Sequence, residues 1–304
     1  MTNILPLMQR EWLQHRFAWA MMTLLPIALA VVPLTFGTVE FDGQLADRRG
    51  SELALTLGSI SVVATMAIIF LLVWVTSIFI TAGLPRRDHA DRSVEFWLSL
   101  PTGHGESLGV PLLVHLVLVP AASLLIGLLG GYAISMLLVT RFVGFGEWLA
   151  LPWGSLTAAT LALAARVIAG LPLAALWLMP LVLLAMLANA FFKRWGLPVL
   201  AVGLGLSSLV LKAVFGQATL MNAIGKLSTT AATSIVGASG EGVTFSDRAP
   251  PAETLALLPG WALHDLGAAL RDLASLQFVA AMAVSCLLFA GLILWRQRGA
   301  GGGN

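Results

Sequence analysis

Residues 60–83 read ISVVATMAIIFLLVWVTSIFITAG, an unbroken run without Asp, Glu, Lys, Arg or His. A bilayer core about 30 Å thick is crossed by about 20 apolar residues in a helix, because only a helix satisfies its own backbone where water is absent. The run therefore predicts a transmembrane helix. Residues 18–36, 110–139, 171–192 and 276–295 pass the same test. Residues 197–215 make a sixth, softer span, rich in Gly and Ser and free of charge until Lys212. None of the six contains an Asp or Glu.

The composition agrees. Of 304 residues, 58% are hydrophobic and 11% charged, against about a quarter charged in a soluble domain. The mean hydropathy is +0.91. An ordinary soluble enzyme, a disordered chain and a coiled coil are excluded. So is a disulfide scaffold, since Cys286 is the one cysteine and has no partner within the chain.

Residues 149–170 are apolar enough to span but hold Pro152, Gly154 and Arg166. Charge bias arbitrates, because cytoplasmic loops near spans are enriched in Lys and Arg. With six spans and an inner N-terminus, nine cations (Arg10, Arg16, Arg86, Arg87, Arg92, Lys193, Arg194, Arg296, Arg298) and five acids fall inside, for +4. The remaining eight cations and ten acids give −2 outside. A seventh span would move Lys193, Arg194 and the basic tail outward. Residues 149–170 are therefore expected to form an outer-leaflet or re-entrant helix leading into the fourth span.

The expected architecture is all-α: a polytopic domain over residues 1–298 with both termini cytoplasmic. Leu5, Met8, Trp12 and Leu13 at helical spacing predict an N-terminal interfacial helix before the first span. Ala28-Leu29-Ala30 resembles a cleavage site but sits inside the apolar run, so the first span is expected to stay as an anchor. Residues 216–275 form a long outer, periplasmic segment. Its first half reads as a hydroxyl-rich loop, and Leu255, Leu258, Trp261, Leu266, Leu270 and Leu273 predict short amphipathic helices behind it. Residues 299–304 read as a flexible tail. No internal repeat of the inverted-repeat carrier type is present.

Several chemistries lack their residues. The only Gly-Lys pair, Gly225-Lys226, is followed by Leu227 and has Leu220 where a phosphate-binding loop needs its first glycine. The histidines show no H-E-x-x-H spacing, and no metal site is expected. Gly237-Ala238-Ser239-Gly240 resembles the G-x-S-G element of rhomboid intramembrane proteases. It lies in a polar loop with His264 as the one candidate base, and a glycine-rich turn is the expected reading. An ion-coupled carrier needs carboxylates within the bilayer, which the six spans lack. His115, Asn189 and Lys212 are the notable polar residues within spans and the candidates for a substrate path. Gly127 and Gly131 form a small-xxx-small pair suited to close helix approach.

The connection between the second and third spans, residues 84–109, reads LPRRDHADRSVEFWLSLPTGHGESLG. On a helix, Arg87 with Asp91 and Asp88 with Arg92 are i,i+4 opposite-charge pairs, worth about 0.2–0.5 kcal/mol each. Val94, Trp97 and Leu98 form an apolar stripe beside them, and Pro101 stops the helix. Such a helix either rests on headgroups with Trp97 as anchor, or docks Phe96 and Trp97 into a pocket on a partner.

Arg87-Asp88, Asp91-Arg92-Ser93, Phe96-Trp97 and Ser99-Leu100-Pro101 resemble the R-D…D-R-S…F-W-x-S-L-P signature of bacterial type-2 ATP-binding-cassette exporter permeases. The resemblance implies a permease subunit of an ATP-driven exporter in the bacterial inner membrane. Residues Arg87, Asp88, Asp91, Arg92, Ser93, Phe96, Trp97, Leu100 and Pro101 would form its coupling helix. The implied partners are two copies of a separate ATP-binding subunit, a second permease (identical or related) and membrane lipids. ATP and Mg would be held by the partner, with no cofactor, catalysis or nucleic acid on this chain. A non-transporting scaffold that uses the same docking loop is the alternative.

Overall fold

The computed structural model describes residues 4–37, 49–90, 103–216, 218–240 and 251–301. It is 93% helix, and no strand occurs among the described residues. The all-α expectation holds. The helices are α1 (Ile4–Phe36), α2 (Gly50–Ala90), α3 (His104–Leu113), α4 (Val119–Phe142), α5 (Phe145–Leu149), α6 (Trp153–Phe192), α7 (Gly196–Phe215), α8 (Thr219–Ile235), α9 (Pro251–Asp272) and α10 (Leu276–Gly301). A π turn, Val114–Leu118, joins α3 to α4, so that 105–142 form one rod. Pro120 has no N–H for the Leu116 carbonyl four residues earlier, and there the helical ladder widens.

Among the described residues, five helical runs are long and apolar enough to cross a membrane: Ile4–Phe36, Gly50–Arg86, Gly105–Phe142, Trp153–Phe215 and Leu276–Gln297. The fourth run contains α6 and α7, joined by a short 3₁₀ turn, Lys193–Trp195. Lys193 adopts φ 58°, and a Cβ on Gly196 would lie 2.5 Å from the Asn189 Cα. The chain thus folds sharply back on itself, and Leu184, Ala188, Leu200 and Gly203 line one shared groove between the two helices.

Two expectations change. The interfacial helix is not separate: α1 runs unbroken for 33 residues, about 50 Å at 1.5 Å per residue. Leu5, Trp12 and Leu13 point outward, while Leu7 and Glu11 are buried. In lipid the apolar stripe faces the solvent, so the polar face turns toward the protein. Likewise, residues 153–170 are no re-entrant element but the first half of the 40-residue α6, about 60 Å long. Arg166, the charge that argued against a crossing, is paired inside the protein.

The centre of the bundle is an α2–α4 pair packed backbone to backbone. A Cβ at Gly127 would lie 2.9 Å from the Met66 Cα, and one at Gly131 2.7 Å from the Val62 Cα. Only glycine permits that approach, as the small-residue spacing predicts. Rising numbers on one helix meet falling numbers on the other, so the pair is antiparallel. Val62, Met66, Leu124, Leu171, Trp177 and Ile235 fill the core where α6 and α8 join the pair.

The described parts of residues 216–275 are more regular than their sequence implied. Residues 219–235 form a regular helix rather than a hydroxyl-rich loop, with Ala231, Ser234 and Ile235 buried. Residues 251–272 form one helix rather than several short ones.

Candidate functional site

At one end of the bundle the chain leaves α2 and re-enters at α3. The Asn189 amide donates to the Ala82 carbonyl at 2.9 Å, and Arg296 donates to the Ser107 hydroxyl at 2.7 Å. Leu84, Leu108, Met186 and Leu292 are buried together beneath those bonds. The ends of α2, α3, α6 and α10 are thereby tied around the base of the 84–109 connection. α2 continues through Pro85 to Ala90, which puts the backbone of Arg87 and Asp88 in its last turn. Asp91, Arg92, Ser93, Phe96, Trp97, Leu100 and Pro101 lie outside the described residues.

The three residues considered for a substrate path occupy three different surroundings. Asn189 is engaged with α2, as above. Lys212 is exposed on the last turn of α7, just before the left-handed Gly216. His115 is fully buried on the π turn, with Nε2 3.1 Å from the Glu11 Oε2 of α1.

Along Leu116 and Val117 of the π turn the bundle opens into an apolar cleft of about 480 Å³ between α3, α6 and α10. Leu112, Leu116, Pro172, Met179, Met282 and Phe289 line it. A second cleft, about 540 Å³, lies between α1, α2 and α4, with Arg16 among walls that include Trp12, Trp19 and Val73. Both suit the apolar part of a ligand.

At the opposite end lies a junction that sequence reasoning missed. Arg166 of α6 donates through Nε to the Asp265 Oδ2 of α9 at 2.9 Å, with Nη2 at 2.8 Å from the same oxygen. Its Nη1 donates to the Ser234 carbonyl at the end of α8, also at 2.9 Å. Asp265 further accepts the amides of Gly237 (3.0 Å) and Ser239 (2.7 Å). Gly170 makes this possible, since a Cβ there would stand 2.3 Å from that Ser234 carbonyl oxygen. Burial pushes the Asp265 carboxyl upward, but hydrogen bonds from the Ser239 amide and hydroxyl and the Gly237 amide, with the Arg166 charge, hold it below the ordinary carboxylate range. The Gly237–Gly240 turn is thus held by a buried carboxylate, which gives Ser239 a structural task.

The absence of acids from the six spans does not extend to the protein's interior. Glu11 and Asp265 both lie at 1% exposure or less. No protein-family model, curated protein or solved structure matches the chain.

Proposed function

We propose that this chain is the six-pass permease subunit of an ATP-driven exporter of the bacterial inner membrane, with both termini cytoplasmic. The observation that carries the reading is the R-D…D-R-S…F-W-x-S-L-P pattern over 87–101, standing on the connection between the second and third apolar helices. The fold-back of α7 on α6 supports six passes, because it divides the fourth apolar run into two antiparallel arms. That count leaves the bias of Lys and Arg on one side.

Movement of an ATP-binding subunit does work on a permease only through a stiff connection. On this reading the sequence spacing of Arg87 with Asp91 and Asp88 with Arg92 would stiffen a helical segment, and Phe96 and Trp97 would be its anchors. The bonds Asn189–Ala82 and Arg296–Ser107 tie its base to α6 and α10, two of the helices that wall the 480 Å³ apolar cleft. A push on the segment is therefore delivered beside that cleft. The cargo that fits such walls is lipid-like or amphipathic, with apolar peptides and drug-like molecules in the same chemical range. Hydrolysis belongs to the partner, as do ATP and Mg. The assembly contains two such subunits and a second permease.

Co-purification from membranes with an ATP-binding subunit tests the proposal. The wild-type chain retains that subunit, and the double variant Trp97→Ala/Arg92→Glu loses it while still inserting into the membrane.

A further inference from the structure

The Glu11–His115 contact has a third member. His15 lies one helical turn after Glu11 on α1, and one donor atom from each of Glu11, His15 and His115 falls within 4.8 Å of the others. Glu11 is 1% exposed and His115 fully buried. The two imidazoles meet edge to face with centroids 5.2 Å apart, and Trp19 packs on both, at 5.6 Å from His115 and 5.7 Å from His15. We propose that Glu11, His15 and His115 form a binding site for a divalent transition metal of the zinc class, which staples α1 to the third membrane rod. The proposal is independent of the permease reading.

Donor chemistry comes first. Two imidazoles and one carboxylate are the ligand set of three-coordinate protein zinc sites, which leave the fourth position to water or another ligand. Zinc bonds of about 2.0–2.2 Å place tetrahedral ligand atoms about 3.3 Å apart. The His115–Glu11 pair already stands at 3.1 Å. The widest pair in the cluster closes by at most about 1.5 Å to reach that spacing, a movement within the reach of side-chain torsions.

The backbone supplies the second observation. His115 stands in the π turn, a local widening that concentrates at functional sites and here re-aims the ring toward α1. Its Nε2 is the ring nitrogen turned to Glu11, at 3.1 Å, and the opposite Nδ1 has no hydrogen-bond partner although the residue is fully buried. A simple Glu–His fastener would need one imidazole and an ordinary helix. The convergence of a second imidazole, and a distorted turn that aims the first, fit coordination better.

The staple also answers a packing need. Only 17% of the apolar window of α1 is buried, and Leu7 and Trp19 are its buried hydrophobic anchors against Val110 and Val114. A bond at this point fixes the N-terminal part of α1 to the third rod, next to both apolar clefts.

The test uses the full chain in detergent, carrying no polyhistidine tag, stripped with a chelator and then titrated with Zn²⁺ alone. About one zinc per chain is expected by elemental analysis. Co²⁺ in its place should give the visible absorption of a four- or five-coordinate nitrogen–oxygen site. His15→Gln, at a partly exposed position with little risk to folding, should reduce bound zinc to background and abolish the cobalt spectrum. Glu11→Gln and His115→Ala should do the same where they fold. Monodisperse wild-type protein that takes up no stoichiometric zinc, or binding that His15→Gln leaves unchanged, overturns the proposal and leaves a hydrogen-bonded fastener.

Discussion

Two buried charge junctions, one toward each end of the bundle, answer the same problem in opposite ways. At Arg166–Asp265 the carboxylate is fully engaged, although the Arg166 Nη2 makes only an ion-pair contact and the Ser234 hydroxyl has no partner. The carboxylate accepts from a guanidinium and two backbone amides, and the guanidinium also serves the Ser234 carbonyl. At Glu11–His115 one ring nitrogen has no partner, and a second histidine converges on the same space. The Arg166–Asp265 junction locks α6, α8 and α9 together through backbone and side-chain bonds. The Glu11–His115 junction joins two helices through a carboxylate–imidazole contact, with a second imidazole beside it, and is the site of the metal proposed above. Burial alone would rank the two equal, whereas the kinds of group each gathers set them apart.

The largest effect expected from breaking this contrast is at Asp265. Asp265→Ala leaves the Arg166 charge buried and unpaired and frees two amides, which costs about 3–5 kcal/mol. Thermal unfolding should shift down strongly. A small effect would mean that the junction is wetter than its 0% exposure implies.

Acid should act on the same group more gradually. Because the folded carboxyl is held below its ordinary value, its contribution is complete above about pH 3.9 and is lost as pH falls through the lower folded value. Stability measured from pH 7 to pH 3 should therefore show an acid-side loss in the wild type that Asp265→Asn lacks. A loss centred near neutrality would contradict the assignment.

Ser239→Ala should be the mildest change. It removes one hydroxyl bond to Asp265 while the amide bond stays, at a cost of about 1 kcal/mol. Transport by the intact assembly should be unaltered. Abolished activity with normal stability would turn the Gly-Ala-Ser-Gly turn into a reactive site and undo its reading as a carboxylate-held turn.

How much of this was legible in the sequence follows from what local patterns encode. All six apolar stretches are helical, because a charge-free run of about 20 residues has one stable form in lipid. Gly127 and Gly131 announced the α2–α4 approach through their spacing alone. The helix at 219–235 was missed because its Ser and Thr residues read as a loop. Those hydroxyls turn back onto their own helix, Thr229 to the Gly225 carbonyl for example, and Leu227, Ala231 and Ile235 at four-residue spacing were the available signal. The extension of α6 was not foreseen because Pro152, Gly154 and Arg166 made the stretch ambiguous and the Lys and Arg count then spoke against a seventh span. The partner of Arg166 stands 99 residues away and Glu11 is 104 from His115, separations that no periodicity reports. The apolar stripe of the N-terminal helix was visible in Leu5, Met8, Trp12 and Leu13, but the burial of Glu11 against His115 was not.

The most direct test of the central claim is whether the 84–109 connection holds an ATP-hydrolysing companion. Membranes carrying the chain in its native genetic setting would be solubilised mildly, the chain captured, and bound ATP-binding subunit quantified against Trp97→Ala/Arg92→Glu at equal membrane insertion. The account predicts a stoichiometric ATP-binding subunit with the wild-type chain and its loss from the variant. A wild-type chain that captures no such subunit, or a variant that keeps it in full, would contradict the account.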